Sequence, residues 1–442
     1  VTTILIRAHK DPFRVATAGQ TLRRNLIGGN VGNLVFSQSV CRLLSTSDAQ
    51  IRTAALPRKQ DPAPYERLVL PLANAFRPGF GQTIDRLTEL LERTSVPTTV
   101  LGVGAQAGLN GKPDRRLDRT VRRFVTAALR IGTGPIGVRG EFTRDYLVGL
   151  GFADDEVAII GCPSMFMWGP DLQVTKRVRE LDRYSPIALN ISPYVPQVGA
   201  ISRDQPARYP NMIYFGQNLQ TLGLLITGHY PADPDAKVRS VGGPVDLDHP
   251  LLEQDRTRFF LDATTWIEHL KSYEFSFGTR IHGNIAALLA GVPALVLVHD
   301  ARTRELAEYH QIPHRLISDR PEELDAAELY AATDWDPMTK SHPDRWAVFD
   351  EFLSQHGLRT VFAAGEDRGA DFDRRLAATD FPGPVRTLKG LPLHELYAMR
   401  DELNRLRTES RRRSGPVADR LVAAGRTGLR RVRRGVDRVR NR

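Results

Sequence analysis

Thr279, Arg280, His282, Gly283 and Asn284 stand together in the stretch FSFGTRIHGNIAALLAGVPALVLV, which runs from Phe275 to Val298. Phe275 to Gly278 reads as the end of a buried strand. Ile281 to Ala290 reads as a helix, with Ile281, Ile285, Leu288 and Leu289 at three- and four-residue spacings. Gly291 and Pro293 end that helix, and the apolar run Ala294 to Val298 suits a strand covered on both faces. This order predicts two parallel strands joined by a right-handed crossover. Arg280 and His282 then lie at the carboxyl end of a parallel strand and the N-terminus of a helix. Free N–H groups and the helix dipole favour anions there, so the pair is a candidate site for a phosphorylated or carboxylated ligand.

Any parallel sheet has such turns, with room for an arginine paired to a structural carboxylate and a histidine capping the helix. Asp300, Arg302, Thr303 and Glu305 shift the balance, because they cluster at the carboxyl end of the very next strand. A further stretch, Asn25 to Phe36 (NLIGGNVGNLVF), puts paired Gly and Asn ahead of a helix. That composition suggests close backbone approach and amide groups facing a ligand. It is not GxGxxG, and no acidic residue stands at the ribose position of a dinucleotide fold.

The elements that must position these residues alternate along the chain. Strands are expected at 67–72, 98–103, 135–139 and 157–161, with helices between them, so the first half is a parallel α/β sheet. Asn33, Gln106 and Arg139 fall at its strand ends or helix starts. A second series begins with the strand at 187–191 and closes with an amphipathic helix over 345–353. A charged stretch with Gly and Pro follows, and then a helix over 393–406. At 442 residues, two domains plus extensions are the natural expectation: 1–175, 176–358, a linker at 359–390 and a helical, Arg-rich tail at 391–442.

Composition limits the partners. The formal net charge is +10, but residues 411–442 alone hold twelve Arg and two Asp. Removing these from the totals of 61 basic and 51 acidic residues leaves 49 of each, so the body is formally neutral and its net charge lends no support to a basic groove for nucleic acid. The longest apolar run, Ile285 to Val298, is broken by Gly291 and Pro293 and is too short to span a bilayer. No secretory signal is evident, and two cysteines far apart in sequence fit a reducing cytoplasm. No constellation with metal-ligand spacing is seen, so no metal and no cofactor is expected.

The ordered set NVGN (Asn30 to Asn33), GVGAQ (Gly102 to Gln106), GVRGEFTRDYL (Gly137 to Leu147), GCPS (Gly161 to Ser164), FGTRIHGNIAALLAGVPAL (Phe277 to Leu295) and DARTREL (Asp300 to Leu306) resembles the polysaccharide pyruvyl transferase family. The resemblance covers roughly residues 20 to 320. It implies two Rossmann-like domains with a cleft between them, as in GT-B glycosyltransferases. It also implies transfer of a pyruvyl group from phosphoenolpyruvate onto two hydroxyls of a cell-surface saccharide or its lipid-linked precursor, as a cyclic ketal. On this reading Arg280 holds the donor, with Arg139 and Arg302 as further anion ligands. His282 is the general acid/base. Asn30, Asn33 and Gln106 hold sugar hydroxyls or the donor, and Gly283 and Asn284 belong to the donor turn.

Two other readings stand beside this one. A GT-B glycosyltransferase using a nucleotide sugar would share the domains, with Glu305 as its ribose carboxylate. A non-catalytic saccharide-binding relative would keep the fold alone. In the tail, Val417, Leu421, Leu429, Val432, Val436 and Val439 fall mostly at helical spacings with arginines largely on the other side. That pattern suits a basic amphipathic helix on the anionic inner face of the plasma membrane. Gly425, Gly428 and Gly435 weaken it, and a disordered basic tail is the alternative.

Overall fold

The structure is a computed structural model that describes residues 1–56, 64–109, 111–230, 242–317, 319–402, 404, 405 and 408. It divides into two compact units, Val1–Gly390 and Leu391–Arg442. In the second unit residues 393–402 are helical, and the expected basic helix over 411–442 lies outside the described residues.

Short apolar segments bounded by Gly, Pro and Asn form parallel strands throughout the first unit. β1 (Thr2–Arg7), β2 (Ala49–Ala54), β3 (Arg67–Pro71) and β4 (Thr98–Leu101) pair in the order β2-β1-β3-β4. β5 (Ile136–Val138) pairs with β6 (Val157–Ile159), and a parallel bridge from Val103 to Val138 joins this pair to β4. The second sheet holds β7 (Ile187–Leu189), β8 (Ile213–Gly216), β9 (Thr257–Phe259), β10 (Phe275–Gly278), β11 (Ala294–Val298) and β12 (His314–Leu316), ordered β12-β11-β10-β7-β8-β9. Its central strands β10 and β11 are fully buried, as the unbroken apolar runs predict. The order reverses between β7 and β10, and a crevice opens outside the carboxyl ends of strands at such a switch point.

The helix Gly32–Leu44 follows the NVGN turn and is buried along nearly its whole length. A helix covered on all sides needs its polar groups satisfied. Ser39 Oγ donates to Val35 O at 2.8 Å, and Gln38 Nε2 donates to Thr264 Oγ1 at 3.1 Å. Arg42 donates twice to the Asp373 carboxylate, at 2.8 and 2.7 Å.

The C-terminal part of this unit departs from the expected division. The helix Asp336–Gln355 packs Trp346, Phe349, Phe352 and Leu353 into the core of the first sheet, with Ile4, Ile6, Val69 and Leu101. Residues 359–390, expected as a linker, are folded as well. The helix Ala370–Ala377 buries Phe372 and Leu376 in the same core. Net charge and scattered Gly and Pro gave that stretch the look of a linker, whereas two apolar side chains four apart were the feature that mattered. Phe372→Ala should therefore lower stability by about 3 kcal/mol, as for other buried aromatics, where a linker position would change it by less than about 0.5. Urea unfolding of the full chain measures the difference.

Candidate active site

The turn after β10 is built on a buried polar network. Gly278 adopts φ 141°, and a Cβ there would lie 2.0 Å from Asn190 O, so the close approach of β10 to the end of β7 requires glycine. Asn190 Nδ2 donates to Ser276 Oγ, which donates to Asn284 Oδ1, each at 2.8 Å. Asn284 Nδ2 donates to Gly278 O at 3.0 Å, and Gln217 Nε2 to Asn190 Oδ1 at 3.1 Å. A Cβ at Gly283 would meet Asn190 Oδ1 at 2.1 Å. Gly283 and Asn284 thus lie in the foundation of the turn, and the side-chain amide of Asn284 is committed to holding it.

Arg280 caps the helix Ile281–Leu289, and no side chain closes that N-terminus. Its Nη2 donates to Asn218 Oδ1, and its buried Nε has no hydrogen-bond partner. Asn30 Nδ2 donates to the same Asn218 oxygen at 3.3 Å. Backbone bonds from Val31 N to Gln217 O and from Leu219 N to Gly29 O tie the NVGN turn to the second sheet. The close approach read from that turn is made to His282, since a Cβ on Gly32 would lie 2.6 Å from His282 Cβ.

His282 is almost fully buried, with Nε2 3.7 Å from Cys162 Sγ and Phe36 edge-on at 6.1 Å between ring centroids. Burial holds its pKa well below the usual histidine value, and the positive charges of Arg139, Arg302 and Arg280 push it the same way. The imidazole is neutral at pH 7.

Arg139 follows β5 and is entirely buried. Nε donates to Gly102 O at 3.1 Å, and both Nη1 and Nη2 are without a hydrogen-bond partner. Arg302 donates to Asp300 Oδ2 from Nη2 at 3.1 Å. Burial disfavours the Asp300 carboxylate, but Arg302, His299 and the bonds from Thr303 outweigh it and hold its pKa below the carboxylate range. Three guanidinium groups thus lie near enough to the imidazole of His282 to act on its charge, at or just past the carboxyl ends of strands from both sheets.

Asn33 and Gln106 each bond within the first half of the unit through one end of the side-chain amide. Asn33 Nδ2 donates to Ile27 O and Gly28 O within its own loop, and Gln106 Oε1 accepts from Asn74 Nδ2 at 3.1 Å. Reading the sequence missed Cys162, Asn218 and the packing role of Gly32. Cys162 stood in the quoted GCPS exit turn, and Asn218 lies two residues past a strand, directly before a helix, which were the available signals. Among the described residues no group of His, Cys, Asp and Glu is placed to hold a metal ion. No helix among them is long and apolar enough to cross a membrane.

Glu305 reaches across to the first sheet. Its carboxylate accepts from Thr143 N at 3.0 Å and from Thr143 Oγ1 at 2.8 Å. Both oxygens accept from Thr143 and the side chain is buried, so Glu305 serves a contact between the two halves of the unit.

Two Rossmann-like parallel sheets that bring buried arginines near one histidine define a two-sheet α/β protein. A sequence profile of the polysaccharide pyruvyl transferase family matches residues 73–301, more than half of the chain, and the chain belongs to that family. The match takes in Arg139, Cys162, Arg280 and His282 and ends just before Arg302. No curated protein matches the sequence. Among solved structures, an uncharacterized protein from Klebsiella pneumoniae is 12% identical, with 72% of this chain and 93% of that chain covered and a TM-score of 0.37. The UDP-GlcNAc 2-epimerase of Methanocaldococcus jannaschii is 11% identical over 78% of this chain and 97% of its own, with a TM-score of 0.40. The glycosyltransferase SnogD of Streptomyces nogalater is 11% identical over 85% and 98%, with a TM-score of 0.32.

Burial raises the Glu305 pKa from 4.5 to about 7, against the opposing pull of the Thr143 bonds, Arg139 and Arg302. A carboxyl whose pKa is raised by folding favours the folded state most below its unfolded pKa, and that contribution declines as pH rises towards 7. Compared with Glu305→Gln, the wild-type protein should lose roughly 3 kcal/mol of stability between pH 4.5 and 7.5. Denaturant midpoints of both proteins across this range give the result, and a gap that does not change with pH would contradict the burial-driven shift.

Proposed function

We propose that the protein transfers a pyruvyl group from phosphoenolpyruvate onto two hydroxyls of a saccharide, or of its lipid-linked precursor, forming a cyclic ketal. The observation that carries this reading is the buried guanidinium of Arg139 with two unpartnered nitrogens, beside Arg280, Arg302 and a neutral His282. Phosphoenolpyruvate carries a carboxylate and a phosphate, and arginines recognise both through charge-assisted hydrogen bonds.

The neutral imidazole of His282 relays a proton from the first sugar hydroxyl to C3 of the enol: the C2=C3 π pair takes up that proton as the sugar oxygen bonds to C2, and the methylene becomes a methyl group. The imidazolium formed in this relay is made a stronger acid by its surroundings. The C2–O bond to phosphate then breaks, the second hydroxyl bonds to C2, and its proton leaves with the phosphate. Arg139, Arg280 and Arg302 stabilise the negative charge on the departing group.

Calorimetry with phosphoenolpyruvate tests the donor site. Arg139→Ala and Arg280→Ala should each weaken binding by about 1.5–3 kcal/mol. His282→Gln should keep donor binding and lower phosphate release in the presence of acceptor by about a hundredfold or more. Because the His282 pKa is depressed, the wild-type rate should hold as pH falls through 6.5 and decline only well below it. Donor binding that survives unchanged in both arginine variants would sink the reading.

This reading puts the protein in the cytoplasm, with residues 411–442 against an anionic membrane surface. Each basic residue there contributes on the order of 1 kcal/mol, so a local net charge of +10 suffices for attachment without a spanning segment. The full chain should sediment with anionic but not neutral liposomes, and a chain ending at Glu409 should stay in solution. Equal pelleting of the two chains rules the tail out as an anchor.

A further inference from the structure

Pyruvyl transfer assigns no task to Glu305, although this side chain is buried and contacts the segment that carries Arg139. Arg139 leaves β5, and one residue later Gly140 begins the helix Glu141–Gly149 without any side chain to cap it. Helix N-termini leave N–H groups without partners. Here Thr143 N donates to Glu305 Oε2 from the other half of the unit, at 3.0 Å. Thr143 Oγ1 donates to Glu305 Oε1 at 2.8 Å and accepts from Ala105 N at 3.0 Å. Gly140 leaves the room for this, since a Cβ there would lie 3.1 Å from Glu305 Cβ. Arg139 itself bonds to the strand end that leads to Ala105, through Arg139 N to Val103 O and Nε to Gly102 O. One carboxylate thus clamps the helix start and, through Thr143, the loop after β4, with Arg139 held between them.

We infer that Glu305 and Thr143 are positioning residues for Arg139, joining the two sheets at the register in which that guanidinium faces Arg302 and His282. The chemistry of the contact supports this. Burial disfavours the Glu305 charge, and the bonds from Thr143 with the nearby Arg139 and Arg302 only partly offset it. What it supplies is two acceptors in fixed places. The charged groups around it are Arg139 and Arg302, and no group on its own helix takes its bonds. The effect on donor binding rests on the pyruvyl-transfer reading, whereas the effect on the Arg139 segment does not.

Hydrogen exchange by mass spectrometry on the full chain without ligand separates the two. Glu305→Gln and Thr143→Val should each speed exchange of amides 139–145 by about tenfold, with no further gain in the double variant. Thr143→Ser keeps the hydroxyl and should retain wild-type protection, and amides of β10 and β11 should not change in any variant. With phosphoenolpyruvate and acceptor, Glu305→Gln should raise the donor KM by about tenfold and change kcat by less than about threefold. Faster exchange spread over both sheets would show a general role in stability and overturn the assignment. So would a loosened Arg139 segment with an unchanged donor KM. If the wild-type protein binds no phosphoenolpyruvate, the pyruvyl-transfer reading falls, and the exchange pattern still decides whether Glu305 and Thr143 hold the segment.

Discussion

A guanidinium held wholly out of water, with two of its three nitrogens unbonded, is the constraint on which the site depends. Burying an unpaired cation is among the costliest things a fold can do. Arg139 receives one carbonyl, from Gly102, and lies near the face of Phe36, 5.9 Å from the ring centroid. Desolvation lowers its pKa, Arg302 pushes the same way, and Cys162, Glu305 and Asp300 only partly oppose that. Its two open nitrogens are complementary to an oxyanion, the group a bidentate arginine recognises best.

The rest of the crevice follows from bringing two sheets close enough to surround such a ligand. β5 presents Arg139, β10 presents Arg280 and His282, and β11 leads to Arg302. The helix Gly32–Leu44 is buried among these elements and begins at a glycine. His282 lies where a Gly32 side chain would be. The same turn is fastened to the second sheet by two backbone bonds, at Val31 and Leu219, so the position of the imidazole is set from both sides.

Local signals made much of this legible. β10, the helix Ile281–Leu289 and β11 fall where apolar periodicity and the Gly291 and Pro293 breaks put them, because each is a short-range pattern. Arg139, Arg280 and Arg302 lie near enough to His282 to act on its charge, and all four stand at or just past carboxyl ends of parallel strands. What could not be read was which polar side chains are consumed by the protein itself. Asn284 and Asn33 look like ligand amides in sequence, and each instead bonds a nearby carbonyl. Glu305 looks like a ribose ligand until its partner Thr143, 162 positions earlier, is seen. The return of residues 336–377 to the first sheet is likewise a long-range contact with no local signature beyond spaced aromatics.

Charge accounts for why the imidazole between these arginines stays neutral. Arg139, Arg280 and Arg302 bring three positive charges, Asp300 answers one, and Glu305 is only partly ionised near neutrality because its pKa is about 7. The uncompensated positive field adds to burial in expelling a proton from His282. A neutral histidine is an acceptor when a hydroxyl arrives, and once protonated in that field it is a more acidic donor than a histidine in water. An anion in the crevice would weaken the field and ease the imidazole towards its charged form. The arginines that suit the site to an oxyanion thus also set the proton affinity of the group beside it, and neither property can be altered without moving the other.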